Sequence, residues 1–346
     1  MSPRSPVPEA ATASTQRYAV PHDLRERFAA FHRDSLRYRH VSPATAKWYA
    51  DTFRTFLKYL AAAGVRVLDP DSTPAVIREW LAAAQDRPRP ISPFTAKSYW
   101  QALRAFFAYL EATDGFPNPF RTVEVPITPD VLPKALEYDD CVRILAAARN
   151  TPWVSRYERA RALAMLALAL YAGLRRKEIL GLEFTDVQIA AKRVVIKHGK
   201  GRAGGSQRIG YLNSELVDIL VEYLDARKEA RLTSVEFFTA IIPRRGGGTA
   251  GAALRRNPAS KHSGHGVQVK TFNRIVARVR ETAGIDFSLH MLRHSFVSML
   301  ARQPGVSVQH IRELAGHRDL KTTERYMRLF EEDKLRAVET LSFTAH

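Results

Sequence analysis

Residues 162–174 are a run of thirteen apolar residues, and no other stretch constrains the fold of this chain as strongly. A helix built from them has no polar stripe, so other elements must surround it on every side. A membrane span needs about 18 or more such residues, so the run is expected at the centre of a globular core. Enclosing a helix takes a sizeable domain, and 346 residues are enough for two. With 45% hydrophobic and 25% charged residues, most of the length is expected to be folded.

The charge balance narrows the partner. Lys and Arg number 53 against 35 Asp and Glu, a net charge of +18 that favours a polyanion: nucleic acid first, an anionic membrane surface second. Residues 1–135 carry +5 (18 basic, 13 acidic) and residues 136–346 carry +13 (35 basic, 22 acidic). A single cysteine, Cys141, excludes a disulfide framework and a cysteine-based zinc site. Residues 1–20, rich in Pro, Ser and Ala at their start, read as a flexible tail rather than a targeting segment. The expected compartment is the cytoplasm, beside the DNA. Five prolines within 116–133 block helix and remove backbone donors, marking the border between the parts. The expected division is a helical domain over 21–125, a linker over 126–136 and a second domain over 137–346.

The first part contains an internal repeat. Ser42-Pro-Ala-Thr-Ala-Lys-Trp-Tyr49 matches Ser92-Pro-Phe-Thr-Ala-Lys-Ser-Tyr99 at an offset of 50. Each copy starts with a Ser N-cap and a Pro at the first helical position. Tyr49, Phe53, Phe56, Leu57 and Leu60 then share one face. Lys47 and Arg54 share another, as do Lys97 and Arg104. A lone basic pair is usually a solvated surface. Recurrence of the same pair on the same face of two helices raises phosphate contact above chance.

The second part alternates. Helices are expected over 139–148, 156–172 and 214–230, and short strands over 193–197 and 208–212 form a hairpin around a glycine-rich turn. Further helical patterns fall near 267–284, 289–302, 306–315 and 320–341. The fold class is mainly α with a small antiparallel sheet.

Five short stretches stand out here: Tyr171-Ala-Gly-Leu-Arg-Arg-Lys-Glu178, His198-Gly-Lys-Gly201, His290-Met-Leu-Arg293, Leu314-Ala-Gly-His317 and Thr322-Thr-Glu-Arg-Tyr326. Each alone has a bland reading: a cap, a turn, an exposed polar pair or a packing tyrosine. The Gly-Lys-Gly lacks the flanking residues of a nucleotide-binding P-loop. All five in this order resemble the tyrosine recombinases, the phage integrase family. The resemblance covers the whole second part closely, and the first part by its arrangement, as a helical core-binding domain. Ala315 stands where the family commonly has leucine, and the loop around 244–266 is long.

The resemblance implies a catalytic set of Arg175, Lys200, His290, Arg293, His317 and the nucleophile Tyr326, with Glu178 as the structural acid beside Arg175. The residue types suit the chemistry. Two guanidiniums clamp the non-bridging oxygens of a phosphodiester and stay charged at working pH. Tyrosine is a poor nucleophile at its ordinary pKa of about 10 and needs nearby cations, a general base, or both. In the family's pattern His290 helps as acid or base, and His317 donates to the phosphate. A lysine on a hairpin suits general acid toward the leaving 5′-oxygen. The product is a 3′-phosphotyrosyl bond that keeps the phosphodiester energy, so neither ATP nor a metal is expected. His262 and His265, in a glycine-rich loop, read as solvated rather than metal-bound.

From Arg244 to Arg280 there are nine Lys or Arg and no acidic residue. Lys270, Arg274 and Arg278, four apart each, share one helix face and are candidates to track phosphates. The expected partners are double-stranded DNA, clamped by the two domains, and three further copies of the chain in a tetramer with two protomers per duplex. There is room for accessory proteins. Leu335, Val338 and Leu341 give the C-terminal segment an apolar edge for docking on a neighbouring protomer or on its own domain. The rival enzyme is a type IB topoisomerase or telomere resolvase, separable by a relaxation assay against a two-site strand-exchange assay. The rival of another class is a DNA-binding protein that no longer reacts, which is expected to lack at least one catalytic residue.

Overall fold

The structure, a computed structural model, describes residues 17–131, 133–197, 207–240, 265–317 and 319–327. Lys200, His262, most of the 244–266 loop and the C-terminal residues Leu335, Val338 and Leu341 lie outside the described residues. The chain separates into two compact units between Asp130 and Val131, inside the proline-rich border.

The first unit is built on helices α1 (His22–Arg37), α2 (Pro43–Ala62), α3 (Thr73–Asp86) and α4 (Pro93–Asp114). The two repeat copies are α2 and α4. Ser42 Oγ accepts from Thr45 N at 3.1 Å and Ser92 Oγ from Thr95 N at 3.2 Å, so both copies start by the same cap. Their inner faces meet through aromatic rings. Phe28 stacks on Phe53 with centroids 4.0 Å apart, and both meet Phe106 edge-on.

One sequence expectation fails at the front of this unit. Tyr18–Ala19 is a strand, β1, not tail, and pairs antiparallel with β2 (Val67–Leu68). Tyr18 is buried, lies tilted against Phe116 with centroids 5.1 Å apart and donates to Asp114 Oδ2 at 2.6 Å. A polar composition hid one anchoring aromatic. At the other border, Leu136 is buried and its N–H donates to Ser295 Oγ at 2.7 Å, so the end of the expected linker belongs to the second unit's core.

The second unit forms around the apolar run. It becomes α6 (Arg156–Tyr171), started by Ser155, whose Oγ accepts from Glu158 N at 3.1 Å. Residues Ala162 to Leu170 of this helix are all buried. Each enclosed leucine contributes about 1.5–3 kcal/mol relative to exposure. The covering elements include α5 (Tyr138–Asn150), α8 (Ser214–Glu229) and α10 (Leu289–Ala301).

The expected hairpin is present as β4 (Arg193–Lys197) and β5 (Gln207–Tyr211), with Val194 opposite Gly210 and Ile196 opposite Arg208. A short strand, β3 (Val187–Gln188), joins it to make the sheet order β3-β4-β5. The remaining helices are α7 (Arg176–Leu180), α9 (Val269–Ala283), α11 (Val308–Ala315) and α12 (Leu320–Met327). Among the described residues no helix is long and apolar enough to cross a membrane.

Candidate active site

The chain leaves α6 through Gly173, whose φ of +61° lies in the left-handed region, and Arg175 follows in extended conformation as the N-cap of α7. Glu178 sits at the third position of α7 and reaches back. Its Oε2 accepts from the Arg175 backbone N–H and its Oε1 from Arg175 Nη1, both at 2.8 Å. This two-point hold fixes the guanidinium beside a cleft of about 630 Å³ lined in part by Arg175, Arg176, Lys177, Arg280, His290 and Arg293.

The C-terminal end of α11 organises the cations. Three successive carbonyls there each accept from a different arginine. Leu314 O takes Arg208 Nη1 at 2.7 Å, Ala315 O takes Arg293, and Gly316 O takes Arg175 Nη2 at 2.9 Å. The last carbonyls of a helix have no partner within it and carry the negative end of its dipole, so this is where three guanidiniums can gather. Arg293 also donates to Gly173 O, which ties the end of α6 to the same point. Gly316 has φ +63°, and the His317 N–H donates back to Arg312 O at 3.0 Å, so the helix cap itself places His317.

Arg208, on β5, is buried and also donates to Glu178 Oε2 at 2.9 Å. Burial alone pushes the Glu178 carboxyl up. The Arg208 charge and the hydrogen bonds from Arg175 overcome it and hold the group below the usual carboxylate range. Burial, with Arg175 and Arg208 beside it, brings Arg293 down to about 9, still charged at neutral pH. One carboxylate among three arginines leaves an excess of positive charge suited to a phosphate with charge developing on its oxygens.

Tyr326, on α12, is 2% exposed and shares a small apolar cluster with Val297, Ile311 and Ala315. Its hydroxyl is hydrogen-bonded to His294 Nδ1, with ring centroids 5.7 Å apart. Burial pushes the phenol up to about 12, against the pull of Arg293 and Arg325. The His317 ring lies nearly parallel to Tyr326 at 6.3 Å, and its Nδ1 is hydrogen-bonded to the Thr323 hydroxyl at 2.9 Å. Burial, then Arg293 and Arg175, lowers His317 to about 4. His290 lies at the exposed rim of the cleft. Desolvation, then Arg293, Arg175 and Arg176, lowers its pKa.

The sequence profile of the phage integrase family matches residues 134–333, more than half of the chain. The chain belongs to the phage integrase family. Its activity is that of a tyrosine site-specific recombinase. It is 29% identical over 306 residues to Tyrosine recombinase XerC of Pelobacter propionicus, covering 88% of this chain and 90% of that one. Its fold is similar to that of the Tn1549 transposon integrase in complex with circular intermediate DNA. The TM-score is 0.64 at 16% identity, over 90% of this chain and 98% of that one. It is also similar to the lambda integrase tetramer bound to a Holliday junction. Here the TM-score is 0.62 at 15% identity, over 91% of this chain and 78% of that one. The named relatives are recombinases, and a topoisomerase reading is not favoured.

Within this recombinase the structure brings Arg175, Glu178, Arg293, His317 and Tyr326 around α11, with His290 on the cleft wall. Two of the cluster's polar residues were missed in the sequence: Arg208 and His294. Arg208 looked like an ordinary strand residue. His294 follows Arg293 directly and stands four residues after His290, a helical spacing that puts the two rings on one face, 4.9 Å apart.

The candidate DNA-contacting residues divide. Lys47, Arg54 and Arg104 are exposed and Lys97 is half-buried. Lys47 and Arg54 are both paired with Asp51, at 2.7 and 2.9 Å. In the second copy the equivalent position is Gln101, and Arg104 lies 5.2 Å over the Trp100 ring. On α9, Lys270 and Arg274 are exposed, but Arg278 is half-buried. Its guanidinium donates to Pro152 O and lies 4.6 Å over Trp153. The shared face expected for the three therefore includes one residue already engaged in packing.

Proposed function

We propose that this recombinase cuts and rejoins duplex DNA through a covalent 3′-phosphotyrosyl bond on Tyr326. The observation that carries the reading is the convergence of Arg175 and Arg293 on adjacent carbonyls at the end of α11, with His317 next in the chain and its ring facing Tyr326 of α12. The two guanidiniums hold the scissile phosphate in the cleft. Arg293 is anchored on two carbonyls and Arg175 on one carbonyl and the Glu178 carboxylate, so little reorganisation is needed as charge builds. Glu178 holds Arg175 and does not itself react. Donation from the Thr323 hydroxyl to His317 Nδ1 requires the tautomer with hydrogen on Nε2, and in that tautomer the ring proton is available to a phosphate oxygen. His290, on the cleft wall, exchanges protons with the phosphate. Lys200 protonates the departing 5′-oxygen. The 5′-hydroxyl of a second strand reverses the step, with no ATP and no metal consumed.

Lys47, Arg54, Lys97, Arg104, Lys270 and Arg274 contact the sugar–phosphate backbone. Four copies act on two duplexes, supported by the likeness to a lambda integrase structure described as a tetramer on a Holliday junction. The chain works in the cytoplasm, at the chromosome. Accessory proteins can join this assembly on DNA.

A nicked suicide duplex, which loses its 5′-hydroxyl strand on cleavage, tests the reading. The wild-type chain is expected to accumulate a covalent protein–DNA adduct and Tyr326→Phe to form none. An adduct of equal yield with Tyr326→Phe overturns the assignment.

A further inference from the structure

The hydroxyl of Tyr326 needs somewhere to send its proton. Burial raises the phenol to about 12, so at neutral pH almost none of it is ionised. Among the described residues, three histidines lie in this region, and their geometry differs. His317 spends Nδ1 on Thr323 and faces the Tyr326 ring from 6.3 Å. His290 stands at the rim, and its ring meets that of His294 at 4.9 Å. His294 is the histidine whose Nδ1 meets the Tyr326 hydroxyl.

Resting on the reading of Tyr326 as nucleophile, we propose that His294 is a catalytic residue, the proton acceptor of Tyr326. As Tyr326 Oη bonds to phosphorus, the phenolic proton passes to His294 Nδ1. The bond from phosphorus to the 5′-oxygen breaks, and that oxygen takes a proton from the general acid. On rejoining, the incoming 5′-hydroxyl attacks phosphorus and gives its proton back to the deprotonated general acid, the Oη–phosphorus bond breaks, and His294 returns its proton to the tyrosine. The exchange balances in both directions and consumes nothing. It requires the tautomer with hydrogen on Nε2, in which Nδ1 is free to accept.

The surroundings suit an acceptor that works only when DNA is bound. His294 is faced by His290 and Arg293 from its own helix and by Arg325 and Tyr326 from α12, with His317 nearby. Burial, then His290, Arg293 and Arg325, holds His294 down to about 4, so the ring is neutral and available at working pH. Such a ring is a weak base. A phosphate seated on Arg175 and Arg293 offsets the cationic field, which raises the affinity of His294 for a proton as the tyrosine loses one.

The test uses single-turnover cleavage of the nicked duplex by the full chain, for the wild type, His294→Ala, His294→Asn and Tyr326→Phe. DNA binding and thermal unfolding are measured in parallel. Asn keeps a hydrogen-bond acceptor near Nδ1 but takes up no proton, so it separates proton transfer from positioning. A general base contributes about 100-fold or more. Both His294 variants are expected to cleave about 100-fold more slowly at neutral pH while binding DNA normally. Their rates are expected to climb with pH, as hydroxide replaces the lost base, and added imidazole is expected to rescue His294→Ala. Near-wild-type cleavage by His294→Asn, with an unchanged pH profile, overturns the proposal in favour of positioning alone. An adduct from Tyr326→Phe overturns the nucleophile assignment instead, so the two failures are distinct. If His294→Ala does not fold, His294→Asn and the pH profile still decide.

Discussion

Arg208 Nη2 and Glu178 Oε2 form a buried ion pair, 2.9 Å apart, behind the cleft. Through it a strand residue with no place in the motif set supports two residues that have one. Glu178 holds Arg175, and the other nitrogen of Arg208 holds Leu314 O at the end of α11. Removing one partner of such a pair leaves the other charge buried without compensation, at a cost of about 3–5 kcal/mol.

Arg208→Ala is therefore expected to lower the unfolding midpoint sharply and to slow DNA cleavage, although Arg208 itself reacts with nothing. The double variant Arg208→Met with Glu178→Gln removes both charges and is expected to recover part of the stability but not the cleavage rate. Thermal unfolding and adduct yield measured on the same samples check both halves. Full stability in Arg208→Ala contradicts the ion pair's role.

Gly316 has φ +63°, and a Cβ there lies 2.6 Å from Arg208 Cδ and Nε. Gly284 has the same φ with open space around it. Alanine in the left-handed region costs about 1–3 kcal/mol by itself. Gly284→Ala is expected to show that cost alone. Gly316→Ala is expected to lose more stability and to lose cleavage as well, because Arg208 is pushed off Leu314. Comparable unfolding curves and comparable cleavage for the two variants speak against a steric coupling between Gly316 and Arg208.

Asp51 is paired with Lys47 and Arg54, whereas the second repeat carries Gln101 at that position, so under the proposed backbone contacts Asp51 competes with phosphates for the first pair of cations. Asp51→Asn is expected to tighten DNA binding at low salt and to steepen the log–log salt dependence by about one unit. Neutralising Lys97 and Arg104 is expected to weaken binding more than neutralising Lys47 and Arg54. Titrations at several salt concentrations measure both effects.

On α9, Lys270→Gln with Arg274→Gln is expected to flatten the salt dependence and leave the unfolding midpoint unchanged. Arg278→Gln is expected to reduce stability instead, since Arg278 covers Trp153 and caps Pro152. If Arg278→Gln flattens the salt slope as much as the double variant, the guanidinium reaches DNA despite that packing.

The histidines predict how stability responds to acid. His294 and His317 are both held down to about 4 in the folded chain, chiefly by burial and then by nearby charge. Unfolded histidine titrates near 6.5, so between about 6.5 and 4 the unfolded chain binds protons that the folded chain refuses. Stability is full above that window and falls as pH drops through it. The unfolding midpoint is expected to decline from pH 7 to pH 4.5, and less steeply in His317→Gln. Parallel declines in the two proteins exclude His317 as a contributor.

Much of this architecture was legible because local chemistry and tertiary need agree. The apolar run had to be central, and Ser-Pro starts had to be helix caps. The hairpin strand 193–197 appears at the predicted residues. The short strands β1 and β3 were not legible, because two-residue pairings carry no periodicity of their own. The tail reading missed Tyr18 for a related reason: one buried aromatic in a polar segment becomes an anchor only when Phe116 and Asp114 are beside it.

Local pattern alone pointed to the family, to a border within the proline-rich stretch, and to most of the arginines, histidines and the tyrosine proposed to carry the chemistry. Residue type fixes charge, nucleophilicity and proton capacity wherever a side chain lies. Only the tertiary structure decided which of these groups meet. Residues 175, 208 and 293 lie on three separate elements and share one helix terminus because unpaired carbonyls are available there. His294, indistinguishable in sequence from a surface histidine, becomes the partner of Tyr326 because α10 and α12 pack against each other. Contacts between residues distant in sequence depend on how elements pack, which no local pattern encodes.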